Sequence, residues 1–188
     1  PLGRAVGNAV EIREAVATLR GDGPADLTEL AVASAAHLVA LCDGAAPAEA
    51  RSRVEDALGN GGALAVYERW VRAQGGDPDE DALPRAAVVR ELNASRDGAV
   101  VRLGALAVGM ASVHLGAGRV VKDEEIDHAV GIVCRAKRGD RVTTGDVLAE
   151  VHARDDASAE DALAELEAAY ELADEAPPTG GVILETLA

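Results

Sequence analysis

Three aromatic rings serve the whole chain: Trp70, Tyr67 and Tyr170, with no phenylalanine anywhere among 188 residues. That scarcity limits the folds open to this chain more than any other feature. A core normally closes large gaps with rings of 150–250 Å² (roughly) of contact area each. Here Ala, Val and Leu must do so, and close packing with such small groups requires backbones that approach one another tightly. Hydrophobic residues make up 48% of the chain, and its length suits one domain or two small ones with a real core.

The formal net charge of −15 argues against a nucleic-acid partner, since phosphate binding needs clustered Lys and Arg. It favours a self-repelling, soluble surface of a cytoplasmic kind. No apolar run approaches the ~20 residues that span a bilayer, and no signal-peptide pattern precedes the first helix, so no membrane partner is expected. Cys42 and Cys134 belong to no CxxC pair or His/Cys cluster, and both read as reduced, buried, small hydrophobes.

The first half reads as helix after helix. Residues 8–20 carry Ala9, Val10, Ile12, Ala15, Val16 and Leu19 at helical spacing and stop near Gly21. Asp26, with Glu29 three positions on, predicts a capping box for a second helix that ends at Gly44. Its run "LAVASAAHLVALC" is apolar on most sides and predicts burial on most sides. A third helix is expected over 47–58. A fourth, "ALAVYERWVRAQ", should pack Tyr67, Trp70 and Val71.

The pattern changes across residues 76–86, where Gly, Asp and Pro concentrate. Beyond it, "AAVVRELNA" and "GAVVRLG" are strand-like, separated by the turn signal "SRDG". "ALAVGMASVHLGAG" reads as a small-residue helix. "HAVGIVCRA" and "RVTTGDVLAEVHA" follow, then a periodic helix over about 157–174 and a last strand, "GGVILETL". No internal repeat stands out.

Few residues suggest chemistry. His37 and His114 lie on apolar helical faces and read as satisfied core histidines. His152 ends a strand and reads as structural. His128, in "DEEIDHAVG", has acidic neighbours able to orient it, but no nucleophile or second base is near in sequence. "HLGAGR" lacks the strand–turn–helix context of a dinucleotide or phosphate loop. No Ser/His/Asp elbow and no HExxH motif is present, so from residues alone this is a mixed helix–sheet protein without a visible active site.

Two longer stretches carry more. "AKRGDRVTTGDVLAEVHA" resembles half of a biotinyl/lipoyl-type barrel-sandwich, without the lysine signal of a carrier domain. "PLGRAVGNAVEIREAVATLRGDGPADLTEL" and "GAGRVVKDEEIDHAVGIVCRAKRGDRVTTGDVLAEVHA" together resemble the thymidine and pyrimidine-nucleoside phosphorylases, from Pro1 to about Pro178. The resemblance implies an α/β and α+β protein. Residues 1–83 would be the helical C-terminal part of a phosphate-binding α/β domain. Residues 84–188 would be a C-terminal α+β domain with the barrel-sandwich element.

The implied activity is reversible phosphorolysis of thymidine to thymine and 2-deoxy-α-D-ribose 1-phosphate. Its partners would be a pyrimidine 2′-deoxynucleoside and phosphate as co-substrate, with no organic cofactor, in a homodimer. The family's phosphate-binding "KHG" loop and base-binding residues fall upstream of the matched stretch. Catalytic groups are thus expected upstream of residue 1, in a longer chain, and these 188 residues alone are expected to be inactive. One site carries over: a K⁺ ion held by the backbone oxygens of Leu2 and Ala5 and the carboxylate of Glu14, hard oxygen donors suited to a hard cation. The alternative is a non-catalytic scaffold built on the same domain.

Overall fold

A computed structural model describes residues 1–186. By compactness the chain divides into two units. One holds Pro1, Gly3–Ile12 and Leu83–Thr179; the other holds Leu2, Arg13–Ala82 and the described residues from Gly180 onward.

The second unit is helical. It takes in most of α1 (Ala9–Leu19), then α2 (Ala25–Asp43), α3 (Pro47–Gly59) and α4 (Gly62–Ala73). Gly44 closes α2 in the left-handed region, at φ 67°, and its N–H donates to the Ala40 carbonyl. Ala50 on α3 is fully buried, and α2 buries Val32, Ala33 and Ala36. Small side chains let α2 and α3 approach closely, and Arg51 of α3 grips Glu29 of α2 at 2.9 and 3.2 Å.

Four expectations change here. Asp26 lies inside the first turn of α2, where its carboxylate accepts from the Leu27 N–H, and Pro24 takes the N-cap position. Glu29, pulled to Arg51, closes no capping box. Nor is α2 buried on most sides: Leu38 is 63% and Leu41 81% exposed, because within this unit one face alone is covered. Contrary to the expectation that no apolar run approaches a bilayer's span, its 19 residues are by length and composition enough to cross a membrane. On α4, Tyr67 and Trp70 make a tilted ring contact at 6.4 Å, but Trp70 stays 60% exposed and α4 buries no residue.

The first unit is built on two sheets. One has the order β1-β4-β6-β2, all antiparallel: β1 (Ala5–Gly7), β4 (Gly131–Cys134), β6 (Val147–Ala153) and β2 (Val88–Asn93). The other has the order β5-β3-β7: β5 (Arg141–Val142), β3 (Gly98–Leu103) and β7 (Tyr170–Ala173). The "SRDG" turn therefore carries the chain from one sheet to the other.

Helices α5 (Ala105–Ser112) and α6 (Asp156–Glu167) cover the first sheet, with Leu115, Ile132 and Leu166 as its largest buried groups. Burying each is worth about 1.5–3 kcal/mol. A smaller core of Ala94, Val100, Ala136, Val142 and Leu148 closes with Leu92, Leu103, Tyr170 and Leu172 packed against it.

Glycine supplies the tight approach the ring-poor composition demands. Gly7 and Gly131 face each other across β1 and β4. A Cβ on Gly131 would lie 2.7 Å from Val10 Cγ2 and 2.9 Å from the Val6 carbonyl, so α1 can press its valine onto this ladder.

The two GD turns share one construction. In each, the aspartate N–H donates to the carbonyl three residues back and its carboxylate accepts from that residue's N–H: Asp140 with Lys137, Asp146 with Thr143. Gly139 and Gly145 sit at φ 100° and 92°. Each turn also trades a pair of backbone hydrogen bonds with a single residue, Val100 within β3 with Gly139 and Asp140, and Ala94 just past β2 with Gly145 and Asp146. Both turns lie in the stretch "AKRGDRVTTGDVLAEVHA" on which the barrel-sandwich resemblance rests.

The periodic helix expected to about residue 174 ends at Glu167, and Tyr170–Ala173 pairs with β3 instead. The final strand is absent over the described residues 180–186, and its last predicted residue, 187, lies outside them.

Candidate functional site

Ahead of β1, the carbonyls of Pro1, Gly3 and Arg4 accept hydrogen bonds from residues far along the chain. Lys137, three residues beyond the end of β4, donates from its ammonium to the carbonyls of Pro1 and Gly3. The Cys134 N–H donates to the Arg4 carbonyl at 2.8 Å. Gly3 is buried and left-handed at φ 64°, which swings successive peptide planes apart. Arg4 and Cys134 thus form a hydrogen-bonded position of the antiparallel ladder. The following pair, Ala5 and Val133, falls on a non-bonded position.

The sequence-derived cation ligands lie as follows. Ala5 is buried, in β1 of the first unit. Leu2 and Glu14 belong to the second unit; Leu2 is 44% exposed, and Glu14 lies on α1, its carbonyl accepting from Thr18 Oγ1 at 2.8 Å. The set contains only oxygen donors, two of them carbonyls, which fits a hard monovalent cation and not a soft metal. Among the described residues no three His, Cys, Asp or Glu side chains gather into a metal-ligating cluster.

The histidines separate. His37 is exposed rather than in a core, and its Nδ1–H donates to the Ala33 carbonyl one turn back at 2.8 Å. His114 is half-exposed, with Nδ1 2.9 and 3.0 Å from the two carboxylate oxygens of Glu165. With Arg154, Asp155, Ser158 and Asp161 this pair lines a polar hollow of about 460 Å³. His128 is exposed, its carbonyl accepting from the Ala9 N–H at 3.1 Å, and it borders a hollow of about 560 Å³ with Gly7, Asn8, Glu11, Ile12 and Pro84.

Two of the acids near His128 are engaged by their own loop. Glu124 accepts from the N–H groups of Val120 and Val121, which hold its carboxyl below the usual range, and Asp127 accepts from Ala129. His152 lies in β6 with Nε2 3.6 Å from Glu150 Oε2. Glu150 itself is held by Arg135 at 2.7 and 2.8 Å, and that hydrogen-bonded ion pair keeps its pKa low. Of the cysteines, Cys134 is buried and Cys42, expected to be buried, is exposed near the end of α2; the two form no disulfide.

A carrier role needs an exposed lysine at a hairpin tip. Lys137, the lysine of the GD element, is instead part-buried and turned inward onto Pro1 and Gly3. Sequence reasoning passed over it because a lysine before a turn carries no signal of its long-range partners, 136 and 134 positions away.

What this architecture defines is a helical segment joined to a two-sheet α+β domain with paired GD turns. Residues 99–173 match the model of the pyrimidine nucleoside phosphorylase C-terminal domain. The chain is 44% identical over 157 residues to a pyrimidine-nucleoside phosphorylase of Geobacillus stearothermophilus, covering 81% of this chain and 36% of the relative. It is 40% identical over 180 residues to one of Staphylococcus aureus (strain USA300), covering 93% of this chain and 41% of the relative. The chain belongs to the pyrimidine-nucleoside phosphorylase family. It spans about two fifths of the length of these relatives.

Proposed function

We propose that this chain is part of a pyrimidine-nucleoside phosphorylase that cleaves thymidine reversibly with phosphate, giving thymine and 2-deoxy-α-D-ribose 1-phosphate. The observation that carries the reading is the extent of identity: 40% over 93% of the chain takes in the helices as well as the α+β domain. In this reading residues 1–83 belong to the phosphate-binding α/β domain and 84–188 to the C-terminal domain, within which the family match at 99–173 falls. The paired GD turns support a barrel-sandwich-like element in it. The enzyme works in the cytoplasm as a homodimer.

Phosphorolysis needs donors for phosphate and stabilisation of charge on the departing base as the sugar becomes cation-like. In our reading those groups lie upstream of residue 1, and these 188 residues alone do not turn over substrate. The chain's own contribution is a K⁺ site made by the Leu2 and Ala5 carbonyls and the Glu14 carboxylate. Its support is the oxygen-only donor set and the family resemblance of the stretch that carries it.

The test is phosphate-dependent release of thymine from thymidine by the full-length gene product, with and without K⁺. Release that requires phosphate is the expected result, with activity falling when K⁺ is withdrawn. No release from a well-folded protein would replace this reading with a non-catalytic scaffold.

A further inference from the structure

We infer that Asn60 is a site of spontaneous chemical modification, a slow loss of its side-chain amide timed by opening of the turn that joins α3 to α4. The chain's asparagines are Asn8, Asn60 and Asn93, and of these Asn60 alone is followed by glycine. The reaction is an attack by the next residue's backbone nitrogen on the asparagine Cγ, and a Cβ on that next residue crowds the approach. Ala9 and Ala94 carry that Cβ, and their N–H groups already donate to the His128 carbonyl at 3.1 Å and the Asp146 carbonyl at 2.8 Å. The Asn8 amide also donates to the Ala117 carbonyl at 2.7 Å. Gly61 has no Cβ, and its N–H reaches the Leu58 carbonyl only at 3.4 Å.

Backbone geometry sets the timing. Asn60 caps α3 at ψ 3°, which holds the Gly61 nitrogen away from the Cβ side of the residue. Closing a five-membered ring between that nitrogen and Cγ needs ψ to swing by roughly 120°, so attack waits for the turn to open. Little opposes that opening. Residues 59–62 are exposed, and a Cβ at Gly59 or Gly61 would meet nothing within 4 Å. Helix α4 buries no residue, and its N-cap, Gly61, supplies no side-chain bond. The side-chain tie across the turn is the Gly62 N–H donating to Asn60 Oδ1 at 2.8 Å. A segment with so few buried contacts belongs to the low-stability end of local opening.

In the open turn the Gly61 nitrogen gives up its proton and bonds to Asn60 Cγ. The Cγ–Nδ2 bond breaks, and Nδ2 leaves with that proton as ammonia. The resulting ring takes up one water. Breaking the bond from nitrogen to Cγ gives aspartate, whose Oδ1 can still accept from Gly62. Its new charge lies between the carbonyl end of α3 and the N–H end of α4, whose dipoles act on it in opposite directions. Breaking the bond to the backbone carbonyl gives isoaspartate instead. That product routes the chain through Cβ and Cγ, adds a methylene between the helices, and shifts the Gly61 carbonyl that accepts from the Ala65 N–H at 3.0 Å.

The experiment ages the full-length gene product in neutral and mildly alkaline buffer and follows each asparagine by peptide mass and by isoaspartyl-specific enzymatic methylation. The Asn60 peptide should gain ~1 Da, faster at the higher pH, while the Asn8 and Asn93 peptides keep their mass. Opening a turn held by one side-chain hydrogen bond should slow conversion by about tenfold against a synthetic peptide of residues 56–64. Gly62→Ala keeps the Asn–Gly pair but would put a Cβ 2.9 Å from Asn60 Oδ1, and should speed conversion several-fold by breaking the tie. Asn60→Asp should melt with the wild type, and the aged isoaspartyl fraction below it. No gain at Asn60 over about ten half-lives of the synthetic peptide overturns the inference, as does equal gain at all three asparagines. An unchanged or lower rate in Gly62→Ala overturns the timing by the turn.

Discussion

At the scale of single residues, Tyr170 shows what a ring-poor chain does with one of its three rings. Its ring packs against the smaller core, and its hydroxyl lies 3.0 Å from the Ala136 carbonyl and 2.8 Å from that of Leu148. One proton serves two acceptors, tying β7 to the ends of β4 and β6. Burial raises the phenol's pKa above its ordinary value, and Cys134 beside it adds to the shift. The folded state therefore favours the neutral phenol. Its contribution is complete below the unfolded-state pKa of about 10 and is lost as pH climbs beyond that. Tyr170→Phe should cost about 1–1.5 kcal/mol near neutral pH, the worth of one buried hydrogen bond. In urea titrations, the stability loss of the wild type above about pH 10 should become shallower in the variant. An equally steep loss in the variant would place its origin elsewhere.

At the scale of elements, glycine stops and glycine turns were legible in the sequence, and partners distant along the chain were not. The stop of α2 at Gly44 follows from local backbone preference, and the structure places a left-handed cap there. The failure at residues 170–173 has the opposite cause. "YELA" follows directly on a helical period, but pairing with β3 and the Tyr170 hydrogen bonds override local propensity. The Asp26 cap failed similarly, because Glu29 serves Arg51 on another helix. The candidate ligands Leu2, Ala5 and Glu14 came from family resemblance; Lys137 emerged only in three dimensions.

The helix α6 does carry a side-chain cap. Asp155 accepts from the Ser158 N–H at 2.8 Å and from its hydroxyl at 2.7 Å, which lowers the carboxyl's pKa. A lowered folded-state pKa adds stability above the unfolded value, lost as pH falls through the folded one. Asp155→Ala should lower the melting midpoint by roughly 2–4 °C at neutral pH. Asp155→Asn, which keeps the acceptor oxygen, should restore most of that shift while losing its dependence on pH below about 4. If both substitutions lower the midpoint equally, the capping oxygen is not what stabilises α6.

At the scale of the whole molecule, charge and cation binding make predictions that one experiment separates. A net charge of −15 on 188 residues opposes compaction through self-repulsion. Any added salt screens that repulsion over a distance that shrinks to about 10 Å near 0.1 M. Sodium, potassium and choline chlorides should therefore all raise the melting midpoint of the full-length gene product, along nearly one curve when compared at equal ionic strength. A cation site adds a second response on top. It depends on ion identity and saturates as RT ln(1 + [K⁺]/Kd), since only the folded state binds. Potassium should then lift the midpoint above the sodium and choline curves at low concentration and run parallel to them once the site is filled. Glu14→Gln removes one negative charge and one ligand together. It should raise the choline curve slightly, through weaker self-repulsion, and abolish the potassium excess. A potassium excess that survives in Glu14→Gln would move the site away from this carboxylate; its loss would tie the acidic surface and the bound ion to separate terms in the protein's stability.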